Sequence, residues 1–450
     1  MLAGARSAGS MPNECGSARM TSLTSELVNE PGREMRDRIQ SLLAQGRRDE
    51  CLATLKSIGR FSSDDATWLS NLASEAMGFR ELWLAGEYAH LLAALRWGSK
   101  WYPSTNAAAD HSLPLLPTDV FLTVSKLQHD VEQFLYLQNK GLLGPEFSSI
   151  IGAYRATVDN LKAKGIEGQV PLDDEARRTI GHVYNRIVHA RYTPRVTRAL
   201  SDSWSSAAVE NQYVNTPPGL VVIDNFLSDE ALKNLRLFCL ESTVWSGNRY
   251  AHGRLGAFLF DGFNCPLLLQ IAEELRDRMP SIIGYRYPLR QLWGFKNAPH
   301  LPGNSTTHAD FAAVNVNFWI TPTEANLDER TGGLVVYDVD APLDWSFEMY
   351  NSSPELIRFF LNRREARSVT IPYRANRAII FNSDVFHATA EVQFRPEYEN
   401  RRINITMLYG ERGDDVHHRD LSGTGASADP RSVGGAWRSQ AFAIARRTRR

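Results

Sequence analysis

Cysteine is scarce in this chain of 450 residues: there are four, Cys15, Cys51, Cys239 and Cys265, and no two form a Cys-x-x-Cys pair. Thiols so few and so widely spaced exclude a disulfide framework and a cysteine-rich zinc site. An excess of charge is missing as well. Lys and Arg number 50 against 51 Asp and Glu, a balance of −1, so no global field draws the chain to nucleic acid or to an anionic membrane. Long apolar runs are also lacking. The most apolar stretch, Leu82 to Trp97, is interrupted by Gly86, Glu87 and His90 and falls short of the roughly 18 clean residues a membrane span needs. The opening MLAGARSAGSMPNEC has no apolar core of a secretory signal, which leads to the expectation of a cytoplasmic protein. What is present is ordinary globular composition, 43% hydrophobic, 10% aromatic and 22% charged. The length allows more than one domain of about 100–200 residues.

Residues 1–30 are rich in Ser, Gly, Ala, Asn and Glu and read as a disordered N-terminus. An α-helical domain is expected over 31–200. Ile39, Leu42 and Leu43, then Leu52, Leu55 and Ile58, recur at the three- and four-residue steps of a buried helix face. The short helices over 33–99 are similar to tetratricopeptide repeats, although at most one and a half repeats fit and a plain bundle is the simpler reading. Residues 117–165 and 173–192 continue helical, the latter opening on Asp173, Asp174 and Glu175, which suit a helix N-terminus. The polar, Pro-bearing segment 201–218 marks a domain boundary. Beyond it lie short strand-like runs at Leu220–Ile223, Gln291–Phe295, Val314–Ile320, Leu334–Tyr337, Ser368–Ile371, Ala378–Phe381 and Arg402–Leu408. Few helices interrupt them, so the class is α+β with an all-β core over 217–411 rather than an alternating βα unit. Residues 412–450 read as a flexible, basic-ended tail whose Arg446–Arg450 cluster is a solvated end.

Chemistry enters at Thr306-Thr307-His308-Ala309-Asp310, just before the run at Val314. Two residues apart on extended backbone, His308 and Asp310 point the same way and can grip one cation. An imidazole and a carboxylate suit iron(II), manganese or zinc. His387 follows the buried run Ala378–Phe381 and supplies a third ligand, 387 − 308 = 79 residues after the first. Next comes Arg402-Ile403-Asn404-Ile405-Thr406-Met407, which places Arg402, Asn404 and Thr406 on one face and the apolar residues on the other. A polar strand face beside a metal can hold an anion, and an arginine can grip a carboxylate bidentately. Arg401 is the rival anchor that a slipped register would turn inward. Asn315 and Asn317 also share a face of their strand.

The ordered set His308-x-Asp310, distal His387 and Arg402 resembles the Fe(II)- and 2-oxoglutarate-dependent oxygenases. The segment Pro218–Ser228 is similar to the opening of prolyl-4-hydroxylase-like members. The likeness spans about 218–410 and implies a double-stranded β-helix, or jelly-roll, core with flanking helices after the helical domain. It implies iron held by His308, Asp310 and His387, 2-oxoglutarate anchored by Arg402 with Asn404, Thr406 and Asn317 completing the cofactor-binding set, and dioxygen as co-substrate, with ascorbate as an activator in vitro. The implied reaction is hydroxylation of a protein or peptide side chain or of a small metabolite, with release of succinate and carbon dioxide. A protein partner for the N-terminal helices is a further expectation. Two rival readings stand beside it: a catalytically silent β-core in a binding or scaffold protein, and a cupin-like metal enzyme that uses no 2-oxoglutarate.

On the substrate side, His252 and Trp319 are the candidates, with a surface histidine the plainer reading of His252. The acidic, Pro-containing insert Thr321–Asp344 is expected as a substrate-side loop. Trp293, Phe295 and Phe318 read as core, His300 as a loop residue beside the site, and His417 and His418 as solvated. Asp338 and Asp340 read as turn-forming carboxylates.

Overall fold

The apolar spacing that predicts helices near the start produces four of them in the computed structural model, which describes residues 33–58, 65–97, 120–216, 218–250, 253–303 and 307–414. They are α1 (Arg33–Ala44), α2 (Arg48–Lys56), α3 (Asp65–Gly78) and α4 (Leu82–Trp97). Gly46, at φ +68°, makes the left-handed turn between the first two, a conformation that costs glycine little. The expected disorder of 1–30 and all of the tail beyond 414 lie outside the described residues. Among those described, no helix is long and apolar enough to cross a membrane. The interruption at Gly86 has a structural use. A Cβ there would fall 2.8 Å from a Leu269 methyl, and the Gly86 carbonyl accepts from Asn264 Nδ2 at 2.8 Å. Thus α4 lies directly against the start of a helix nearly two hundred residues later.

Helices α5 (Val124–Asn139) and α6 (Phe147–Ala163) follow, with α7 (Asp174–Thr179) capped by Asp173, whose carboxylate accepts from Ala176 N at 2.8 Å. The helix expected over 173–192 ends at Thr179. Beyond it the chain turns, with Asn185 at φ +57°, and then runs extended so that Val188 N and Thr243 N find Thr243 Oγ1 and His189 O at 2.9 Å each. The supposed boundary at 201–218 also differs. It contains α8 (Ser206–Asn215), capped by Ser205, and its Val209 and Tyr213 are buried. One hydrophobic core continues across it, joining α1–α4, α8, α9 (Asp229–Glu241) and α10 (Pro266–Arg278) to the outer face of a large sheet. The helices at the start of the chain therefore complete the β-core rather than standing apart.

Ten strands build two facing antiparallel sheets: β1 (Leu220–Ile223), β2 (Gly247–Tyr250), β3 (Arg254–Phe258), β4 (Leu289–Asn297), β5 (Val314–Trp319), β6 (Leu334–Asp340), β7 (Ser368–Ile371), β8 (Ala378–Asn382), β9 (Val385–Thr389) and β10 (Ile403–Tyr409). The larger sheet has the order β1-β8-β5-β10-β4-β3-β2, the smaller β7-β6-β9. The fold is α+β with a double-stranded β-helix core. The hairpin β8–β9 crosses from one sheet to the other, which is why a buried run leads straight to His387. The insert Thr321–Asp344 is only partly a loop, since β6 occupies its second half and pairs with both β7 and β9. Alternation holds on β10: Ile403, Ile405 and Met407 join the outer core, while Asn404 and Thr406 face inward opposite Trp319 and Asn317.

Candidate metal centre

The segment carrying His308 and Asp310 is pinned to the β8–β9 hairpin by its own backbone. His308 N donates to His387 O at 3.0 Å and His387 N returns the bond at 2.9 Å, while Asp310 N donates to Ser383 O at 3.0 Å. The 79 residues between the two histidines are thereby closed into one bridge. A bulge in β9 between Val385 and His387 shifts the register against β6 and re-aims the imidazole. One nitrogen or oxygen each from His308, Asp310 and His387 lies within 4.8 Å of the others. Asp310 Oδ2 is 3.4 Å from His387 Nε2, and Oδ1 is 3.8 Å from His308 Nε2. His387 Nδ1 sits 3.0 Å from Val385 O, a contact that holds its proton on Nδ1 and turns Nε2 toward Asp310. Burial pushes the Asp310 carboxyl upward, but the His387 contact, both imidazoles and Asn315 outweigh it and hold the group below the usual carboxylate range. The His308 side chain is 25% exposed against 4% for His387, so the cluster opens on the His308 side.

A row of amides leads inward from this cluster. Asn315 Nδ2 donates to Asp310 Oδ2 at 2.5 Å, Asn317 Nδ2 to Asn315 Oδ1 at 2.9 Å, and Asn404 Nδ2 to Asn317 Oδ1 at 2.8 Å. Arg402 Nη1 completes it, donating to Asn404 Oδ1 at 3.3 Å. Every donor points toward Asp310, so a buried cation and a buried carboxylate stand at opposite ends of one polarised row. Thr406 joins from the side, its hydroxyl donating to Asn317 Oδ1 at 2.9 Å.

Arg402 is 1% exposed, and burial presses its guanidinium down to about 9. Its Nε and Nη2 donate to the carbonyls of Gly332 and Gly333 at 2.5 and 3.2 Å. Three of its five N–H donors are then engaged by uncharged acceptors, which leaves two. Among the described residues no carboxylate pairs with it. A Cβ on Gly333 would fall 1.9 Å from Ile371 O, so only glycine brings that carbonyl so close. Arg401, the rival, faces the other way: its Nε and Nη2 bind Glu132 of α5 at 2.7 and 3.0 Å.

Trp319 departs from its expected place on the substrate side. It is 1% exposed, packs on Tyr373 with ring centroids 5.3 Å apart, and lies under the Arg402 guanidinium at 5.5 Å. As the last residue of β5 it lines the inner end, beside the arginine. Phe318 is core as expected, whereas Trp293 and Phe295 are half-buried on the inner face, opposite Thr406 and Asn404. His252 lies outside the described residues. His300 is exposed on a two-residue strand paired with Val392–Gln393. Asp338 binds Arg367 at 3.0 Å at the surface, in keeping with its plain reading. Sequence patterning misses Tyr373, Gly332 and Gly333, since nothing local ties them to Arg402. It also misses Arg412, which pairs with buried Asp384 at 2.6 Å and covers the Tyr350 ring at 4.2 Å.

Models of protein families give no match to this chain. No curated protein matches it either. Among solved structures it is similar to a Pseudomonas putida prolyl-4-hydroxylase, at 12% identity over 46% of this chain and 100% of that one, with a TM-score of 0.30. It is also similar to the non-heme alpha-ketoglutarate-dependent carbocyclase SnoK of nogalamycin biosynthesis, at 14% identity over 52% and 98%, with a TM-score of 0.33. A third is HygX from Streptomyces hygroscopicus, solved with nickel and 2-oxoglutarate bound, at 14% identity over 45% and 86%, with a TM-score of 0.30.

Proposed function

We propose that this chain is an Fe(II)- and 2-oxoglutarate-dependent dioxygenase that hydroxylates an unactivated C–H of a protein or peptide side chain or of a small metabolite. The observation that carries the reading is a two-imidazole, one-carboxylate cluster sharing a barrel interior with a buried arginine that no carboxylate among the described residues neutralises. That donor set suits iron(II) with open coordination positions. Burying an uncompensated cation is costly, and an anionic ligand offsets the cost. His308, Asp310 and His387 hold the metal, and the two remaining N–H groups of Arg402 hold the distal carboxylate of 2-oxoglutarate. With dioxygen as the oxidant, bound iron(II) and 2-oxoglutarate would supply the chemistry of hydroxylation, one oxygen atom going to the substrate C–H and the other to succinate as carbon dioxide leaves.

The chain's own residues do the rest. Hydrogen bonds to Asn315 and to the imidazoles keep Asp310 ionised and fixed. Trp319 and Tyr373 wall the arginine end against water, which strengthens its grip on an anion. The partly exposed His308 side is where a substrate reaches the metal, because His387 and Asp310 are buried.

The test uses the whole chain with Fe(II) and no oxygen. Adding 2-oxoglutarate should give a weak metal-to-ligand charge-transfer band, and admitting oxygen with ascorbate should release succinate slowly. His308→Ala and Asp310→Ala should abolish both. Unchanged metal and 2-oxoglutarate binding in either variant refutes the proposal, and metal binding without any response to 2-oxoglutarate favours a cupin-like enzyme instead.

A further inference from the structure

The inner-face row that carries Arg402 holds a second polar group that the amide row leaves idle. Asn297 ends β4, and its backbone N–H donates to Arg402 O at 2.9 Å. The β10–β4 register (Ile403 opposite Lys296, Asn404 opposite Phe295) makes Asn297 the cross-strand neighbour of Arg402, on the face that Asn404 and Phe295 share. Directly opposed side chains of this kind have Cβ atoms about 5 Å apart. Arg254 of β3 is the register partner of Asn297 on its other side, and its charge is felt at Arg402. The row thus reads Arg254, Asn297, Arg402 and is rich in positive charge.

Asn297 is 1% exposed, and neither its Nδ2 nor its Oδ1 has a hydrogen-bond partner. A buried primary amide with both ends idle is rare in a folded protein and calls for a ligand. Its neighbours are already committed. Asn404 gives its two amide hydrogens to Asn317 Oδ1 at 2.8 Å and to Thr406 Oγ1 at 3.2 Å. Thr406 gives its only hydrogen to Asn317 as well. Of the three residues assigned from sequence with Arg402, Asn404 and Thr406 keep no donor for a ligand, and Asn317 keeps one hydrogen beyond its bond to Asn315. A carboxylate accepts about four hydrogen bonds, and Arg402 offers two.

We propose that Asn297 Nδ2 donates to the same carboxylate that Arg402 holds, making β4 a second arm of the anion site. The inference rests on the 2-oxoglutarate reading above and adds to it a binding residue from a different strand. The amide also selects by strength: its N–H bonds an ionised carboxylate oxygen more strongly than the carbonyl of an ester or amide in that place.

The test titrates 2-oxoglutarate anaerobically into the Fe(II)-loaded full chain and its variants, with Fe(II) affinity measured in parallel. Asn297→Leu, similar in size and without donors, should raise the 2-oxoglutarate Kd about tenfold to hundredfold, the range for a hydrogen bond to a charged group. Its Fe(II) affinity should be unchanged. Asn297→Asp keeps the shape but sets a second negative group against the ligand, so it should weaken binding further than Asn297→Leu. A packing role predicts the reverse order, with Asp harmless and Leu harmful, and that order overturns the proposal. So does a Kd within twofold of the parent for both variants while Arg402→Ala loses binding. If Arg402→Ala also binds normally, the 2-oxoglutarate reading falls together with the inference.

Discussion

Arg401 and Arg402 are adjacent in sequence and opposite in use. Arg401 reaches out of the barrel to Glu132, whereas Arg402 reaches in to glycine carbonyls and an asparagine. Arg402→Ala should therefore raise the 2-oxoglutarate Kd by about hundredfold or more, on the scale of a lost charge-assisted pair. Arg401→Ala should change it less than tenfold, and equal effects measured by anaerobic titration would contradict the strand register. The choice between the two was legible, because Ile403, Ile405 and Met407 had to face a core. That His308, Asp310 and His387 form one cluster was legible for a related reason, since a candidate ligand triplet is a matter of residue type and order. Donor economy was not. That Asn404 and Thr406 have no hydrogen to spare, and that Asn297 has two, depends on rotamers and cross-strand neighbours that no spacing encodes.

Among the elements, the β8–β9 hairpin does most to assemble the cluster, as it carries His387 and receives the backbone of His308 and Asp310. Most strands were readable from their β-branched and aromatic runs. Three were not, and their composition says why. β2 and β3 contain Gly247, Gly256 and Arg254 and show no apolar alternation, while β9 follows β8 after a two-residue turn and reads as its continuation. Helix α5 has a role its sequence does not announce. Its Glu132 neutralises Arg401 on the back of the strand that presents Arg402, and Arg401 is 4% exposed. Glu132→Gln should lower stability by about 1–3 kcal/mol, discounted because Glu132 is one-third exposed, by leaving a buried guanidinium without its counter-charge. Denaturant titration should show the loss as a lower midpoint at unchanged m-value.

At the scale of the whole molecule, the first hundred residues matter for folding more than a reading of separate domains suggests. Leu84, Tyr88 and Leu92 of α4 belong to the same core as Phe263, Leu267 and Val316. Arg96 Nη1 and Trp97 Nε1 meet Asp261 at 3.0 and 3.2 Å, tying the far end of that helix to the loop between β3 and α10. A core shared by α1–α4 and the large sheet predicts that these elements unfold together, seen alike by tryptophan fluorescence and far-UV circular dichroism. A transition that melts α1–α4 while the sheet stays folded would contradict it. The composition of 201–218 concealed this continuity, since a polar, Pro-bearing stretch resembles a linker even when Val209 and Tyr213 anchor it from within.

The row from Arg402 to Asp310 has one more property. Its links are side-chain amides, which give and receive hydrogen bonds but do not readily pass a proton on. A file of waters or hydroxyls between the same two ends would be a conduit, letting Asp310 exchange protons with the depth of the barrel. Amides make the file an insulator for protons while it still conveys electrostatic field. Each is also locked in orientation by the next: turning one over would set oxygen against oxygen on one side and N–H against N–H on the other. The Arg402 end and the metal cluster can therefore feel each other's charge without exchanging protons through the row, and a replacement that brought a water into it would open such a path.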